Sequence, residues 1–495
     1  MKELQRLVRI IDKFSHKSNP LINFQDNSKL ETKLFYLLTK DSVQSDEAVA
    51  EELYGDKSLT GSYRTLKSRF RKKLYNHLHF LNWGPVGSKN VHEANCVCLS
   101  LLTEAQTLLV YSEQKLALKV FDQVLEIANA YGLNEMKIKA LEGTKKIFLN
   151  LTKEKEFSTI VKVLANCYEI QVMERSAMSL YDHTMMTLRG PISQKSKYLQ
   201  SLPSVLDELE ELFNKSNSSL IFYHRHILNI AYLEQSGRYF DIVNTIAHAE
   251  KMVLSKNVLE SWFDKKYNSF TEVYALLQSR QYDKGLKIAG ENIQLFAKYS
   301  TNWFAFMENY VLLAIHSRQF EVAGVLLNEA TENEHIKKLA YNSIERWELY
   351  RKYFIFLVSH STNGWQENLP SEIASELLIL PKDKSGFNLA LLVLDVLEKL
   401  SEGEADELEG QAERLRKYTQ KYLKGEKAER PRLFLRLLLL ALMKRNAADA
   451  RAQGQKLLEK LQATPLPGDA FTEVEIVPYE HLWELALQLL ERRQV

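Results

Sequence analysis

Six segments of this sequence recur about every forty residues, and each places apolar residues on one face of a predicted helix. Their register positions are Ala117, Phe157, Tyr198, Tyr239, Tyr282 and Phe320, with intervals of 40, 41, 41, 43 and 38 residues. Such a period is typical of helical repeats, in which one hairpin cannot bury its own apolar face and must stack on its neighbours. The period predicts an all-α scaffold and does not identify a partner.

The repeat is clearest at three turns that share a serine, a basic residue and an aromatic residue. They are Ser236-Gly-Arg-Tyr239, Ser279-Arg-Gln-Tyr282 and Ser317-Arg-Gln-Phe320. Small or aliphatic residues follow the aromatic residue at offsets of three, seven and usually ten: Ile242, Ile246 and Ala249; Gly285 and Ala289; Ala323, Leu327 and Ala330. These offsets share one side of a helix, so we expect the eight residues to be buried against neighbouring helices.

Length and composition favour a helical array over a single core. A chain of 495 residues is too long for one hydrophobic core. Only 18 Gly and 10 Pro are present, which suits long helices. The net charge of +2 gives no overall attraction to nucleic acid, membranes or acidic substrates, so we expect any electrostatic function to be local.

The sequence also indicates a cytoplasmic protein that does not enter the membrane. Charged residues interrupt the apolar runs at the N-terminus, so no secretory signal is predicted. The longest apolar run, 437–443, is far shorter than the roughly 20 residues of a membrane-spanning helix. The 3 cysteines do not suggest a disulfide framework and fit a reducing compartment.

The segment from Gln319 to Ala330 resembles the second helix of a tetratricopeptide repeat, with a small residue three positions after the turn aromatic residue and another ten after it. The resemblance implies a right-handed α-α superhelix of helical hairpins over residues 97–360. Two features depart from that family: the period exceeds its usual length of about 34 residues, and pairs such as His226 with Ile230 replace the Trp and small residue of the first helix. An armadillo-like or HEAT-like array is the competing fold.

Composition divides the chain into four predicted parts. Residues 1–85 form an N-terminal helical module, 97–360 the solenoid, 361–387 a linker and 388–495 a C-terminal helical module. Gly and Pro mark the first boundary, and a shift toward Leu, Ala, Glu and Arg marks the last. We expect the C-terminal module to hold two long hairpins and a final helix from about Tyr479, which together cap the solenoid.

The N-terminal module carries the strongest local charge of the chain. We expect Ser45 and Gly55 to bound one helix, and a short turn over 56–58 to lead into a long helix whose apolar stripe runs from Tyr63 to Leu81. This is the spacing of a helix-turn-helix. The long helix holds six basic residues and no acidic one between positions 64 and 73: Arg64, Lys67, Arg69, Arg71, Lys72 and Lys73.

Basic residues on the last helix of a helix-turn-helix are placed to contact phosphates and the major groove. Among the six, Arg64 and Arg71 lie two turns apart and can reach a common surface. Residues 51–55 together with 66–74 also resemble the winged-helix modules that precede helical repeats in some bacterial transcriptional activators. That resemblance implies a nucleic-acid-binding regulator, although residues 79–98 show little of the alternation of a β wing. A solvated helix face, or one docked on an acidic stretch of the chain's own solenoid, is the alternative.

No enzyme or cofactor signature is present in the sequence. His77, His79, His92, Cys96 and Cys98 are clustered, but their close pairs are one residue apart, which does not match zinc-ligand spacing. Phosphate-loop, dinucleotide and nucleophile-elbow motifs are missing. We therefore expect a non-enzymatic scaffold, without metal or cofactor, that binds a peptide or protein on the solenoid surface. A regulator that contacts nucleic acid through residues 28–81 is the second hypothesis.

Overall fold

The structure, a computed structural model, describes most of the chain, and every regular element in the described residues is a helix. The described ranges are 21–26, 28–39, 45–55, 61–78, 90–190, 198–360, 387–402, 405–423, 428–464 and 475–493. The chain divides into two compact units, Met1–Ser176 and Ala177–Val495.

Three helices form the first part of unit 1: α1 (Leu30–Leu38), α2 (Asp46–Tyr54) and α3 (Gly61–His77). The predicted ends of α2 are confirmed, because the Ser45 hydroxyl accepts the N–H of Ala48 at 3.2 Å and Gly55 is left-handed with φ 75°. The helices share a small apolar core: Ile22, Leu34, Val49, Ala50, Tyr63, Leu66 and Phe70. The predicted turn 56–58 and Leu81 lie outside the described residues. Leu78 belongs to the predicted apolar stripe but is 55% exposed, so the buried part of the stripe ends before Leu78.

The rest of unit 1 is a succession of longer helices. They are α4 (Val91–Val110), α5 (Gln114–Tyr131), α6 (Asn134–Asn150) and the first part of α7 (Glu154–Leu188), within which the division between units falls. Asn90 and Glu93 form a capping box that fixes the start of α4. Phe121 is fully buried and packs directly over Gly143.

One turn geometry recurs along the chain and gives the sequence period a structural basis. Ser112, Thr152, Gly237, Arg280 and Arg318 each adopt a left-handed conformation with φ between 55° and 68°. In every case the next residue's N–H donates to a carbonyl five positions earlier, at 2.8 to 2.9 Å. This is the bond that closes a helix in the Schellman motif. Each such turn ends one helix and starts its antiparallel neighbour.

Unit 2 continues with eight helices that pack on their neighbours in chain order, as in a helical-repeat solenoid. They are α8 (Leu202–Ser216), α9 (Ser219–Gln235), α10 (Tyr239–Leu254), α11 (Lys265–Gln278), α12 (Tyr282–Asn292), α13 (Thr301–His316), α14 (Phe320–Thr331) and α15 (Tyr341–His360). Tyr239, Tyr282 and Phe320 are the first residues of α10, α12 and α14. All eight residues predicted at the repeating offsets are buried, so this prediction is confirmed.

The C-terminal part of unit 2 has the two hairpins and the final helix that the sequence predicts. Its helices are α16 (Phe387–Glu402), α17 (Ala405–Tyr422), α18 (Glu429–Lys444), α19 (Ala447–Ala463) and α20 (Tyr479–Arg492). One apolar cluster runs from Val273 to Leu490, so these helices share a core with α11 to α15. None of the described helices is long and apolar enough to span a membrane.

A buried arginine joins the final helix to the rest of this core. Arg430 is 1% exposed and forms ion pairs with Glu475 and Glu480, the latter at 2.7 Å. Glu480 also pairs with the turn residue Arg280 at 3.2 Å. One helical turn later, Glu484 pairs with Arg318 at 2.5 Å. The basic residues of two consecutive repeat turns therefore contact the same face of α20.

Candidate functional site

A polar groove runs along the hairpin of α9 and α10 in unit 2. It encloses about 350 Å³. The groove is lined by residues of these two helices and of the turn between them: Phe222, Arg225, His226, Asn229, Tyr232, Leu233, Arg238, Asp241, Asn244, Thr245, His248 and Ala249. Cavities that bind small ligands or short peptide segments are of this size or larger.

The walls of the groove are two rows of polar side chains at helical spacing. Arg225, Asn229 and Tyr232 lie on one face of α9 because they are four and three residues apart. Asp241, Thr245 and His248 repeat the same spacing on α10. The helices are antiparallel, so the rows face each other. The amide of Asn229 donates to the Thr245 hydroxyl at 3.3 Å and joins them midway.

Apolar packing and ion pairs hold the groove open. Its floor consists of buried side chains, among them Phe222, Leu233 and Ala249. At one end Arg238 donates to Asp241 at 2.7 Å. At the other end Arg225 forms an ion pair with Glu210 of α8, while its buried Nε finds no hydrogen-bond acceptor among the described residues. Both charged ends are therefore anchored.

His226 fixes the position of α9 and contributes no charge. Its ring is 5% exposed, and Nε2 lies 2.6 Å from the Asn268 side-chain oxygen on α11. Burial lowers the pKa of His226 below its usual range, because the charged form loses hydration. The imidazole is therefore neutral at pH 7 and donates one hydrogen bond to Asn268.

The exposed side chains of the groove offer both donors and acceptors. Asn244 and His248 are exposed, whereas Asn229, Tyr232 and Thr245 are half-buried. An amide or hydroxyl side chain can donate and accept at once. Each residue of an extended peptide presents one N–H and one C=O. The groove therefore offers both donors and acceptors to the N–H and C=O groups of a peptide main chain.

The six basic residues predicted as a nucleic-acid site all lie on α3, but the structure divides them into two sets. Lys67 pairs with Asp46 of α2 at 2.6 Å, and Lys73 pairs with Glu31 of α1 at 2.6 Å. These two lysines hold the three helices together, and their acidic partners lie on α1 and α2 instead of on the solenoid.

The other four basic residues of α3 face solvent. Arg64, Arg69, Arg71 and Lys72 are exposed, and none forms an ion pair with another described residue. Because a helix advances about 100° per residue, Arg64 and Arg71 lie within about 20° of each other on the flank next to the buried stripe. Arg69 and Lys72 lie on the opposite, outward side. The available charge is therefore spread around the helix.

Among the residues that the structure describes, the clustered histidines and cysteines do not come together as a metal site. His77 Nε2 accepts the N–H of Ile22 at 2.8 Å, Cys98 is buried and Cys96 is exposed; His79 lies outside the described residues. Within those residues, no group of three His, Cys, Asp or Glu side chains is placed to hold a metal ion.

Sequence reasoning missed the α9–α10 groove. The signal is present as polar residues at helical spacing on the two facing helices, but it becomes visible only when the hairpin pairing is known.

Comparison of the chain with protein families, with curated proteins and with solved structures found no match. Its function must therefore be inferred from the groove and from helix α3.

Proposed function

We propose that this chain is a non-enzymatic scaffold whose α9–α10 groove binds an extended segment of a protein partner. In this proposal, the solenoid is a degenerate tetratricopeptide-like array with right-handed superhelical winding, and the protein acts in the cytoplasm. One observation supports the binding site most directly: two facing rows of polar side chains line an open groove whose floor is apolar.

The size of the groove favours a short extended segment. Arg225 and Tyr232 are seven residues apart on α9, which corresponds to about 10 Å at 1.5 Å per residue. An extended chain advances about 3.3 Å per residue, so the row matches about three peptide residues. Main-chain recognition of this kind places few demands on the peptide side chains, and specificity must then come from contacts outside the groove.

Peptide selection tests this proposal. A displayed library of random peptides is selected on the full-length protein, and the affinities of enriched peptides are measured by calorimetry. The Asn229→Ala, Asn244→Ala double variant should bind them about 5- to 150-fold more weakly, because two net hydrogen bonds are worth about 1 to 3 kcal/mol. Glu250→Gln changes an exposed residue of α10 that does not line the groove, and serves as the matched control.

Circular dichroism of each variant shows whether the fold is retained. Peptides that bind the double variant and the wild-type protein equally well would refute the groove as the binding site. A selection that enriches no peptide at all would refute peptide recognition by this scaffold.

A second candidate function is nucleic-acid binding by α3, supported by its four exposed basic residues. If each contacts a phosphate, the slope of log K against log salt is about −0.9 per contact, or roughly −3.6 in total on B-DNA. The double variant Arg64→Glu, Arg71→Glu should weaken binding in a mobility-shift titration and reduce the slope. Lys33→Glu, on the exposed surface of α1, is the control. Failure of the wild-type protein to shift DNA or RNA at low salt would exclude this function.

A further inference from the structure

A cleft between the three N-terminal helices has the features of a separate ligand site. It encloses about 470 Å³, within the range of small-molecule sites. Its lining comes from α1, from α2 with its capping serine, and from α3: Leu34, Leu38, Ser45, Asp46, Val49, Tyr63, Lys67, Phe70, Arg71 and Leu74. None of these residues belongs to the α9–α10 groove, and the inference does not depend on the function proposed for that groove.

Two of the three charged residues in the lining neutralise each other. Lys67 Nζ lies 2.6 Å from both carboxylate oxygens of Asp46, and the Tyr63 hydroxyl donates to the same carboxylate at 2.8 Å. The lysine and the tyrosine hydrogen bonds lower the pKa of Asp46, so the carboxylate is ionised at pH 7. This closed triad forms one polar side of the cleft with no net charge.

Arg71 supplies the remaining charge of the described lining. Its side chain is exposed and has no ion-pair partner among the residues that the structure describes. The lining as a whole therefore carries one positive charge. A guanidinium binds carboxylates through two parallel hydrogen bonds, so the charge complement of this cleft is a single carboxylate.

The other walls of the cleft are apolar. Leu34, Val49 and Phe70 are buried, and Leu74 is partly buried against them. Leu38 lies at the end of α1 with 53% of its surface exposed. Covering this leucine would remove apolar surface from water, which favours binding of an apolar group. A ligand that fits both sides must combine an anionic head with an apolar body.

We propose that this cleft binds a small carboxylic acid with an apolar chain. The carboxylate lies on the Arg71 guanidinium, and the chain packs against Leu38, Phe70 and Leu74. Recognition requires both parts at once, because neither a lone cation at the protein surface nor one exposed leucine holds a ligand alone. The Tyr63–Asp46–Lys67 triad keeps α2 and α3 in place around the bound acid.

Calorimetry on the full-length protein tests this proposal with three probes. Octanoate carries both features, acetate carries only the charge, and octanol carries only the chain. We expect saturable binding of octanoate. Octanol should bind at least about tenfold more weakly because it forms no charge-assisted hydrogen bonds with Arg71, and acetate should bind at least about tenfold more weakly because it covers little apolar surface.

Matched variants locate the site. Arg71→Gln should weaken octanoate binding about tenfold, whereas Arg69→Gln, on the outward side of the same helix, should leave it unchanged. Leu38→Ser changes an exposed residue that contributes to the apolar side, and should weaken octanoate but not acetate. Helical content by circular dichroism confirms that each variant is folded.

Several outcomes would overturn the proposal. They are no saturable octanoate binding at millimolar concentration, equal affinity for octanol and octanoate, and equal losses in the Arg71 and Arg69 variants. Equal losses of affinity would mean that octanoate binds through the general positive charge of α3 and not in the cleft.

Discussion

The contact between Gly143 and Phe121 allows a sharp test of how the helices of unit 1 pack. A Cβ atom at position 143 would lie 2.1 Å from the ring carbon Cζ of Phe121, and 2.5 and 2.6 Å from Cε2 and Cε1. The phenylalanine is 0% exposed, so its ring is enclosed by the protein and cannot turn out into solvent. We therefore predict that Gly143→Ala forces α5 and α6 apart.

Two opposing effects determine how much Gly143→Ala changes the free energy of unfolding. Replacing Gly by Ala inside a helix stabilises it by about 1 kcal/mol. Overpacking a closed core costs about 1 to 3 kcal/mol and occasionally more, and three contacts below 3 Å place this site at the upper end. The expected net loss is about 2 kcal/mol, or about 4 to 8 °C in Tm for a unit of this size.

Gly410→Ala is the matched control, because a Cβ at that position in α17 meets nothing within 4 Å. This variant should gain stability by up to about 1 kcal/mol. Thermal unfolding followed by circular dichroism gives the sign of each change, and hydrogen exchange shows whether protection is lost in α5 and α6. A combined Phe121→Leu, Gly143→Ala variant should recover part of the loss. Equal stabilisation by both alanines would refute the packing described here.

Three further predictions concern unit 2. Ala323→Leu should lower the free energy of unfolding of unit 2 by about 1 to 3 kcal/mol in urea. Val325 lies on the same helix and is 66% exposed, so Val325→Leu should have little effect. Equal effects of the two variants would refute the repeat register. Arg430→Met should cost about 3 to 5 kcal/mol because it leaves the Glu475 carboxylate, whose side chain is 8% exposed, without its ion-pair partner, whereas Glu480 keeps Arg280. The exposed Arg436→Met should cost about 0.5 kcal/mol or less; a neutral Arg430 variant would contradict the role of this ion pair. Burial lowers the pKa of His316 to about 4 from 6.5, so only the unfolded chain takes up its proton between these values. Its contribution to stability should therefore fall as pH drops from about 6.5 to about 4, and His316→Gln should unfold with a weaker pH dependence over that window; an unchanged slope would count against a neutral buried imidazole.

Much of the helical organisation could be predicted because it depends on local sequence. Helix caps, left-handed turn residues and apolar offsets act over a few positions, so Ser45, Gly55 and the buried positions after Tyr239 and Phe320 could be identified without a structure. The final helix from Tyr479 could be predicted for the same reason.

Contacts between distant residues could not be predicted in this way. The pairing of Arg318 with Glu484 joins residues 166 apart, and nothing in the local pattern links the two. Likewise, the basic run of α3 does not reveal that Lys67 and Lys73 hold neighbouring helices and that Arg71 borders a cleft. The α9–α10 groove depends on which faces of the two helices lie opposite each other, and helical periodicity alone does not determine this.

Cross-linking from inside the groove tests the central claim most directly. A benzophenone amino acid at the exposed position 244 is irradiated with a peptide selected on the wild-type protein, and the adduct is located by mass spectrometry. The proposed function predicts a covalent adduct from position 244 that unlabelled peptide suppresses, and none from the same probe at position 250. Cross-linking from position 250 alone, or equal yields from both positions, would contradict binding in the α9–α10 groove.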